Sequence, residues 1–300
     1  MVIVFIFLFG IVIGSFLNVC ILRIPEELSI VMPASRCPQC HALIKWYDNV
    51  PVFGWMWLRG KCRNCGAAIS GMYPLVELVT GLLFVACYQE FGLTQAMVKW
   101  IFFTCLLIVL TITDLRVRLL PDLVNWPGFA AGLFFSAIAP SDDGTALWIC
   151  RSLFHGVPAR PVLGLVDALL GAAFGSFLLW GVAAAYKRVR GREGMGMGDV
   201  KMMAMVGAFL GVRGAFLTIL VGTMLGTVIG VTVILVLYAA GWHRKLAERA
   251  SRRGVGSLNA LRWAIASQYQ LPLGTFLGIA GVMVMFYGGG MMVRWSQLFR

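Results

Sequence analysis

Residues 1–20 read MVIVFIFLFGIVIGSFLNVC and contain no charged side chain. A helix that spans a bilayer needs about 20 predominantly apolar residues, and this run has that length. Gly14 and Ser15 could suggest a signal cleavage site, but the run has no basic flank and is longer than the apolar region of a secretory signal. We therefore expect an uncleaved first membrane helix at residues 2–22.

The composition of the whole chain is that of a membrane protein. Hydrophobic residues make up 60% and charged residues 13% of the chain, and the mean hydropathy is +0.85. Soluble domains carry about 25% charged residues, so half of the usual solubilising charge is missing. The sequence predicts an all-α polytopic membrane protein with about eight transmembrane helices, of which the sixth is too short to span alone. The eight segments are 2–22, 74–91, 97–113, 122–139, 161–186, 200–211, 215–241 and 272–293.

The chain has a net charge of +12, and the distribution of its Lys and Arg residues predicts the orientation of these helices. The basic residues lie between apolar runs rather than on one face of a folded domain, which argues against nucleic-acid binding. If the N-terminus lies outside, the cytoplasmic segments hold 19 of the 25 Lys and Arg residues. The positive-inside rule therefore predicts that both termini lie outside. The cytoplasmic segments would be 23–73, 114–121, 187–201 and 242–271.

Two of the segments between helices are long loops. Residues 140–160 are predicted to lie outside, and the basic residues 242–271 in the cytoplasm. Within the second loop, residues 257–268 fit either an amphipathic helix on the membrane surface or an ordinary solvated loop.

Four of the eight cysteines form two pairs with the spacing of metal ligands. Two residues separate Cys37 from Cys40 and Cys62 from Cys65, and 21 residues lie between the pairs. Two such turns present four thiolates to one ion, which fits a tetrahedral Zn²⁺ site. The predicted subdomain at 23–73 has few apolar residues, so a structural metal would supply folding energy that its core cannot.

Three rival interpretations of the paired cysteines are weaker. Disulfides are disfavoured because the charge pattern places residues 23–73 in the reducing cytoplasm. Residues 37–41 also match the CxxCH motif of c-type haem attachment, but that chemistry belongs outside the cytoplasm and leaves the second pair unexplained. A catalytic dithiol would likewise use only one pair. The other cysteines are expected to be structural thiols: Cys20, Cys87, Cys105 and Cys150.

Two aspartates lie at the ends of apolar runs. Asp114 ends the third run, and Asp199 opens the sixth after the glycine-rich residues 194–198, which let another backbone approach closely. Ionisable residues at membrane depth are costly and are therefore functional candidates, and the topology places both at cytoplasmic helix ends. Two carboxyl groups held together share a proton, so one can activate a water while the other polarises a peptide carbonyl. The pair predicts aspartyl protease chemistry without indicating which residue is the base.

Each aspartate taken singly has an ordinary interpretation. A lone Asp at a helix end is often an N-cap, and Asp199 lies where an N-cap would. Asp122 and Asp167 are assigned to this ordinary class. The glycine run also resembles a nucleotide-binding loop, but that motif needs a preceding strand, and here a membrane helix precedes it. The prediction therefore depends on the pair rather than on either residue.

Several motifs along the chain resemble one family, the prepilin peptidases or type 4 prepilin leader peptidases, which belong to the GxGD aspartyl proteases. Asp114 with Leu120-Pro121-Asp122 resembles the first catalytic segment, and Gly196-Met197-Gly198-Asp199 resembles the second. The resemblance covers nearly the whole chain. The other matching motifs lie at residues 14–19, 23–25, 35–40, 49–51, 59–62, 73–77 and 271–276.

This resemblance implies a bifunctional enzyme of the bacterial inner membrane. The family cleaves type IV prepilins and type II secretion pseudopilins on the cytoplasmic side, after a glycine that precedes the mature N-terminal residue. Members with the cysteine subdomain commonly also methylate the new N-terminus with S-adenosylmethionine. The chain would comprise a first transmembrane helix at 1–22, a zinc subdomain at 23–73 and a membrane-embedded protease domain at 74–300. No residue pattern indicates a methyl-donor site.

Two features depart from the usual pattern of the family. The loops at 140–160 and 242–271 are longer than is common, and Thr275 stands where a proline is frequent. The acidic residues Glu26, Glu27 and Glu77 could attract the basic leader of a prepilin.

Two other classes of function are open on the residues alone. A transporter with proton-relaying aspartates predicts charged residues near helix centres and paired half-repeats. A membrane scaffold with a zinc-binding docking domain makes Asp114 and Asp199 dispensable. A protease requires both aspartates for peptide cleavage, whereas a transporter would use them to carry protons and a scaffold would not need them.

Overall fold

The computed structural model describes residues 1–141, 143–154, 158–191, 194–239 and 272–298. Within these ranges the chain forms helices and turns, and its only β-pairing is two isolated bridges in the cysteine subdomain. The predicted loop at 242–271, with its segment 257–268, lies outside the described residues. The α-helices are α1 Val2–Arg23, α2 Phe53–Trp57, α3 Met72–Phe91, α4 Gln95–Val117, α5 Asp122–Ile138, α6 Thr145–Phe154, α7 Arg160–Arg190, α8 Met197–Ala239 and α9 Leu273–Leu298.

Within the described residues, five helices are long and apolar enough to cross a membrane. The first two of them flank the segment with the paired cysteines, and α9 adds a shorter apolar stretch at Leu273–Gly289. The predicted all-α membrane fold with an inserted cysteine subdomain is therefore confirmed, whereas the count of eight spans stays a prediction. The five candidate spans are Val2–Glu26, Met72–Phe91, Gln95–Val117, Arg160–Arg190 and Met197–Val236.

Short connections bring the cysteine subdomain and both aspartates to one end of the bundle. Residues 92–94 join α3 to α4, so the two helices run antiparallel and α4 ends at the level where α3 begins. Only residues 191–196 separate the end of α7 from the start of α8. The start of α8 lies at the same level as the end of α4, because Gly198 contacts Leu120, which follows α4. We call this level, where α1 ends and the cysteine subdomain begins, the cysteine end.

The helix α8 joins the predicted segments 200–211 and 215–241 across a break at Gly211. This glycine has φ +75° and ψ −173°, which leaves the next amides without partners in the preceding turn. The Asp143 carboxylate accepts a hydrogen bond from the Arg213 amide at 3.1 Å and thereby caps the second half of α8. The first half lies in the protein core, where Met202, Met203 and other side chains are fully buried.

Glycines allow the first half of α8 to pack directly against α7. A Cβ added at Gly171 would collide with the carbonyl oxygen of Gly207 and with the Gly211 backbone. The two backbones therefore touch without intervening side chains. This contact fixes the half-helix that begins beside Asp199.

We expect Gly171→Ala to lower the melting temperature of the detergent-solubilised protein, because the added methyl group has no room between the two backbones. Overpacking of this kind costs about 1–3 kcal/mol. The matched control is Gly181→Ala on the same helix, where a Cβ meets nothing within 4 Å. Since Ala is favoured over Gly inside a helix by about 0.5–1 kcal/mol, the control is expected to melt slightly higher. Equal melting temperatures for both variants would contradict the packing.

The end of the bundle opposite the cysteine end contains buried charges. Lys99, one of the six Lys and Arg residues outside the predicted cytoplasmic segments, is only 1% exposed. Its Nζ donates to Ser136 Oγ at 3.2 Å and to the Ala139 carbonyl oxygen at 3.0 Å. The predicted loop at 140–160 contains α6, and Asp167 accepts a hydrogen bond from the Ala146 amide at 2.7 Å. The Asp167 side chain on α7 thus holds the start of α6 against α7 by a hydrogen bond.

Candidate functional site

Asp114 lies in the last turn of α4 and is 6% exposed. The helix ends at Val117 because Arg118 adopts a left-handed conformation, and the Arg118 amide bonds to the Asp114 carbonyl oxygen at 2.9 Å. The Asp114 side chain turns towards the start of α9, where the Thr275 amide donates to its Oδ2 at 2.7 Å. The Thr275 hydroxyl lies 3.1 Å from the same oxygen. Two polar groups of one residue therefore orient this carboxyl group.

Asp199 lies in the first turn of α8 and is 8% exposed. The ordinary interpretation of Asp199 as an N-cap does not apply, because α8 already begins at Met197. The close approach predicted at the glycines occurs at Gly198, where a Cβ would lie 2.9 Å from Leu120 Cβ. The neighbour is thus a side chain rather than the expected backbone. Leu120 also lies 2.9 Å from a Cβ built on Gly274, so it fills the gap between the starts of α8 and α9.

The two aspartates line one cavity of about 700 Å³ at the cysteine end. Each carboxyl group is close enough for the charge of one to act on the other. Arg118 and Asp122 line the same cavity, and Asp122 pairs with Lys201 at 2.7 Å. The ion pair is partly exposed, so its own contribution to stability is at most about 1 kcal/mol. The cavity offers what acid–base hydrolysis needs, a pair of carboxyl groups with room for a water and a peptide.

Thr275 is a site residue that the sequence did not identify as a partner of Asp114. The two residues are 161 positions apart, and no spacing rule connects them. The only signal was its departure from the proline frequent at this position, and a proline there would have no amide to donate.

The four paired cysteines come together in one cluster. Their sulfur atoms all lie within 4.8 Å of one another, with 3.8 Å between Cys37 and Cys65 and 4.0 Å between Cys40 and Cys62. Zinc–sulfur bonds of about 2.3 Å in a tetrahedron place sulfur atoms about 3.8 Å apart. The cluster therefore fits a four-coordinate ion of this size.

The two CxxC segments have the same backbone geometry. Residues 37–42 close with a hydrogen bond from the Cys37 amide to the Ala42 carbonyl at 3.0 Å, and residues 62–67 close from Cys62 to Ala67 at 2.8 Å. A residue with positive φ follows the second cysteine of each pair, His41 with φ +55° and Gly66 with φ +70°. The subdomain thus contains two copies of one turn. The sequence carries a faint trace of this repeat, because Ala42 and Ile44 recur as Ala67 and Ile69 at the same distance from the cysteines.

The thiols of the cluster differ in acidity. The backbone amides of Cys40 and Gln39 lower the pKa of Cys37 to about 6. The Ala67 amide favours the Cys65 thiolate, but burial and the three neighbouring thiols raise the pKa of Cys65 to about 11. The first thiolate forms readily, but its negative charge opposes ionisation of the neighbouring thiols. A cation among the sulfurs is therefore needed for all four to ionise together.

An ion pair connects the second turn to the rest of the subdomain. Arg63 donates to both oxygens of Asp48, at 2.8 Å from Nε and 2.5 Å from Nη2. The same guanidinium lies 5.5 Å from the centre of the Tyr47 ring. Hydrogen bonding to Arg63 lowers the pKa of Asp48, so the pair stays charged at neutral pH.

Comparison with known families assigns both halves of the chain. Residues 8–91 match the Bacterial Peptidase A24 N-terminal domain, and residues 101–231 match the Type IV leader peptidase family. The first match includes the four cysteines, and the second includes both aspartates. No solved structure matches the chain.

Curated relatives are similar over most of the chain. A protein of Myxococcus xanthus is 39% identical over 79% of this chain, which spans 65% of that relative's length. A protein of Xanthomonas campestris pv. campestris is 34% identical over 93% of this chain and 89% of its own length. A protein of Stutzerimonas stutzeri is 31% identical over 97% and 92%. All three are named prepilin leader peptidase/N-methyltransferase, and the chain belongs to the type IV leader peptidase family of membrane enzymes.

Proposed function

We propose that this protein cleaves the leader peptide from type IV prepilins or type II secretion pseudopilins and then methylates the new N-terminus with S-adenosylmethionine. The carrying observation is that Asp114 and Asp199, which are 85 positions apart in the sequence, line one cavity at the cysteine end. In our proposal that end faces the cytoplasm, both termini lie outside, and the enzyme resides in the bacterial inner membrane. This orientation leaves most Lys and Arg residues inside.

The proposed cleavage uses the aspartates as an acid–base pair. The ionised carboxylate takes a proton from a water while the protonated carboxyl group donates a hydrogen bond to the scissile carbonyl oxygen. The water oxygen adds to the carbonyl carbon. The carboxyl group that took the proton from water then passes it to the nitrogen of the leaving segment as the carbon–nitrogen bond breaks. Water is the nucleophile, so no covalent enzyme intermediate is required.

We assign the ionised role in the resting enzyme to Asp114. The Thr275 amide and hydroxyl face its Oδ2, and Arg118 acts on it electrostatically. Asp199 is faced by the single amide of Gly196. Donors and positive charge favour the ionised form of a carboxyl group, so the shared proton is expected on Asp199.

We expect Thr275→Val to lower kcat for leader cleavage about tenfold while leaving KM for the prepilin unchanged. The substitution removes the hydroxyl beside Asp114 Oδ2 but keeps the amide, and a hydrogen bond to a charged group contributes about 1.5–3 kcal/mol. Thr275→Ser restores the hydroxyl and is expected to restore the rate. A Val variant as active as the native enzyme, or a Ser variant as slow as Val, would rule out this role.

The site suits a substrate that is itself membrane-embedded. A prepilin has a short basic leader followed by an apolar helix, and the helix can lie in the bilayer against the helices of this protein. The junction between the two then reaches the level of the aspartates, at the membrane surface. Water is available at that depth, as hydrolysis requires.

We propose Zn²⁺ as the ion held by Cys37, Cys40, Cys62 and Cys65. The sulfur spacing fits tetrahedral zinc, and four thiolates select zinc over the oxygen-preferring ions Mg²⁺ and Ca²⁺. In this role the ion is structural, because all four positions are filled by protein ligands. The folded subdomain would then serve the methylation step, in which the donor supplies a methyl group to the new amine as its carbon–sulfur bond breaks and the amine releases a proton.

The direct test is to incubate the purified protein with a synthetic prepilin and S-adenosylmethionine, and to follow both products by mass spectrometry. We expect removal of the leader after its terminal glycine, followed by a gain of one methyl group on the mature N-terminus. An unchanged prepilin would refute the peptidase proposal, and a cleaved but unmethylated product would refute the second activity.

A further inference from the structure

A second cavity, of about 450 Å³, lies between the cysteine subdomain and the adjoining ends of α1 and α3. Its volume is within the range of small-molecule sites, about 300–1,000 Å³. None of its lining residues lines the aspartate cavity. The proposed peptidase chemistry does not use this space, so it is available for another ligand.

A buried carboxylate lies in the wall of this cavity. Glu77 is 6% exposed, and its Oε2 accepts a hydrogen bond from the Val52 amide at 2.7 Å. The Ser15 side chain also bonds to it. Among the described residues no Lys or Arg forms a salt bridge with Glu77. The other carboxylate in the wall, Asp48, is already bonded to Arg63. The remaining charged lining residues, none of them paired with Glu77 in a salt bridge, are Arg23, Arg36 and Lys45.

The backbone that holds Glu77 is strained. Val52 has φ +61° and ψ −55°, and the Phe53 amide reaches back to the Pro51 carbonyl oxygen at 2.6 Å. This is a γ-turn of the rare positive-φ kind, which is energetically costly for a residue other than glycine. The turn aims the Val52 amide at Glu77, so the subdomain is built to keep this carboxylate in place.

A buried carboxylate without a cation favours a ligand that brings positive charge. Burial of an unpaired charge is costly, and a cation placed against it removes that cost. The aromatic side chains of Trp55 and Tyr73 also line the cavity and offer flat surfaces for a ring. The Trp55 indole is fixed by its bond to the Ile69 carbonyl oxygen at 3.1 Å.

The cavity lies at the same end of the bundle as the aspartates. Tyr73 begins the helix that runs antiparallel to α4, and its side chain is within electrostatic reach of Arg116. Arg116 is two residues beyond Asp114. The proposed cleavage site and this cavity therefore share one end of the bundle.

We propose that this cavity binds S-adenosylmethionine, with the sulfonium cation of the ligand against Glu77. The ligand combines a positive centre with an adenine ring, which matches the carboxylate and the aromatic lining. This inference rests on the proposed methyl transfer and adds the location of its donor. The cleaved N-terminus and the donor would then meet at the cysteine end without release of the peptide.

The test measures binding to the purified full-length protein by calorimetry, with two ligands that differ in charge at sulfur. Glu77→Gln keeps the shape and the acceptor for Val52 but removes the charge. We expect it to raise the Kd of S-adenosylmethionine about 30-fold and to change the Kd of S-adenosylhomocysteine, whose sulfur is neutral, by less than about threefold. The control Glu90→Gln, an exposed residue on the same helix, is expected to bind both ligands as the native protein does.

Three outcomes would overturn the assignment. The first is an unchanged affinity of Glu77→Gln for S-adenosylmethionine, and the second is an equal weakening of both ligands. The third is a raised KM for prepilin with normal S-adenosylmethionine binding. Each of these results would place the donor elsewhere. If Glu77→Gln melts early, Val19→Trp tests the same site from α1, because its bulk would fill the cavity and exclude both ligands. A native protein that binds neither ligand would refute the proposed methyl transfer itself, whereas native binding that no variant alters would refute only the location.

Discussion

Asp114→Asn and Asp199→Asn are each expected to slow leader cleavage by about 10³-fold or more. Each substitution keeps the size of the side chain but removes one of the two groups that share the catalytic proton. Acid–base residues contribute about 10²–10⁴-fold, and loss of either partner disables the pair. The measurement is the initial rate of leader removal from a synthetic prepilin in detergent.

The double variant distinguishes a catalytic pair from two independent contributions. If the aspartates act as a unit, Asp114→Asn combined with Asp199→Asn is expected to be no slower than either single variant. The matched control is Glu90→Gln, which removes an exposed carboxylate at the far end of α3 and is expected to keep the native rate. Full cleavage by either aspartate variant would favour the scaffold, and ion or solute transport that depends on both aspartates would favour the transporter.

Cys37→Ser and Cys62→Ser are expected to reduce bound zinc from about one ion per chain to nearly none. Each removes a ligand from a different turn, and a structural zinc contributes about 10–16 kcal/mol to the folding of a small domain at neutral pH. The subdomain has few buried apolar side chains of its own and is therefore expected to unfold. Zinc content by inductively coupled plasma mass spectrometry and the melting temperature report the two effects.

The loss of methyl transfer in these variants is expected to exceed the loss of leader cleavage. The proposed donor cavity is walled by the subdomain, whereas the aspartates lie on α4 and α8. Cys105→Ser serves as the control, because this thiol lies on α4 outside the cluster. Zinc retained at native levels in the Cys37 or Cys62 variant would show that the four sulfurs do not hold it.

The membrane helices and the cysteine cluster were predictable because each follows from local sequence. An apolar run of sufficient length must be a helix in lipid, and the CxxC spacing by itself presents two thiolates. The joining of two predicted helices into α8 was not predictable, because Gly211 ends one half while the Asp143 carboxylate caps the next. That carboxylate comes from a different part of the chain.

The surroundings of the aspartates likewise depend on tertiary contacts. The sequence predicted that Asp114 and Asp199 share a level, and the structure places them on one cavity. The position of Thr275 beside Asp114 could not be predicted from the sequence. Nor could the ion pair between Lys201 and Asp122, a residue assigned to an ordinary helix end that lines the same cavity. The burial of Lys99 was unpredictable for a similar reason, since the hydroxyl and carbonyl oxygen that accept its hydrogen bonds belong to α5 and its end.

The break at Gly211 has a consequence for how the reaction cavity can be disturbed from a distance. The half-helix from Asp199 to Gly211 is a rod of about 18 Å, and its far end abuts Asp143, a buried residue in the segment before α6. Loss of the Asp143 carboxylate by substitution would uncap the second half of α8 and loosen the rod from its distant end. A change at the opposite end of the bundle would then reach the reaction cavity through one half-helix.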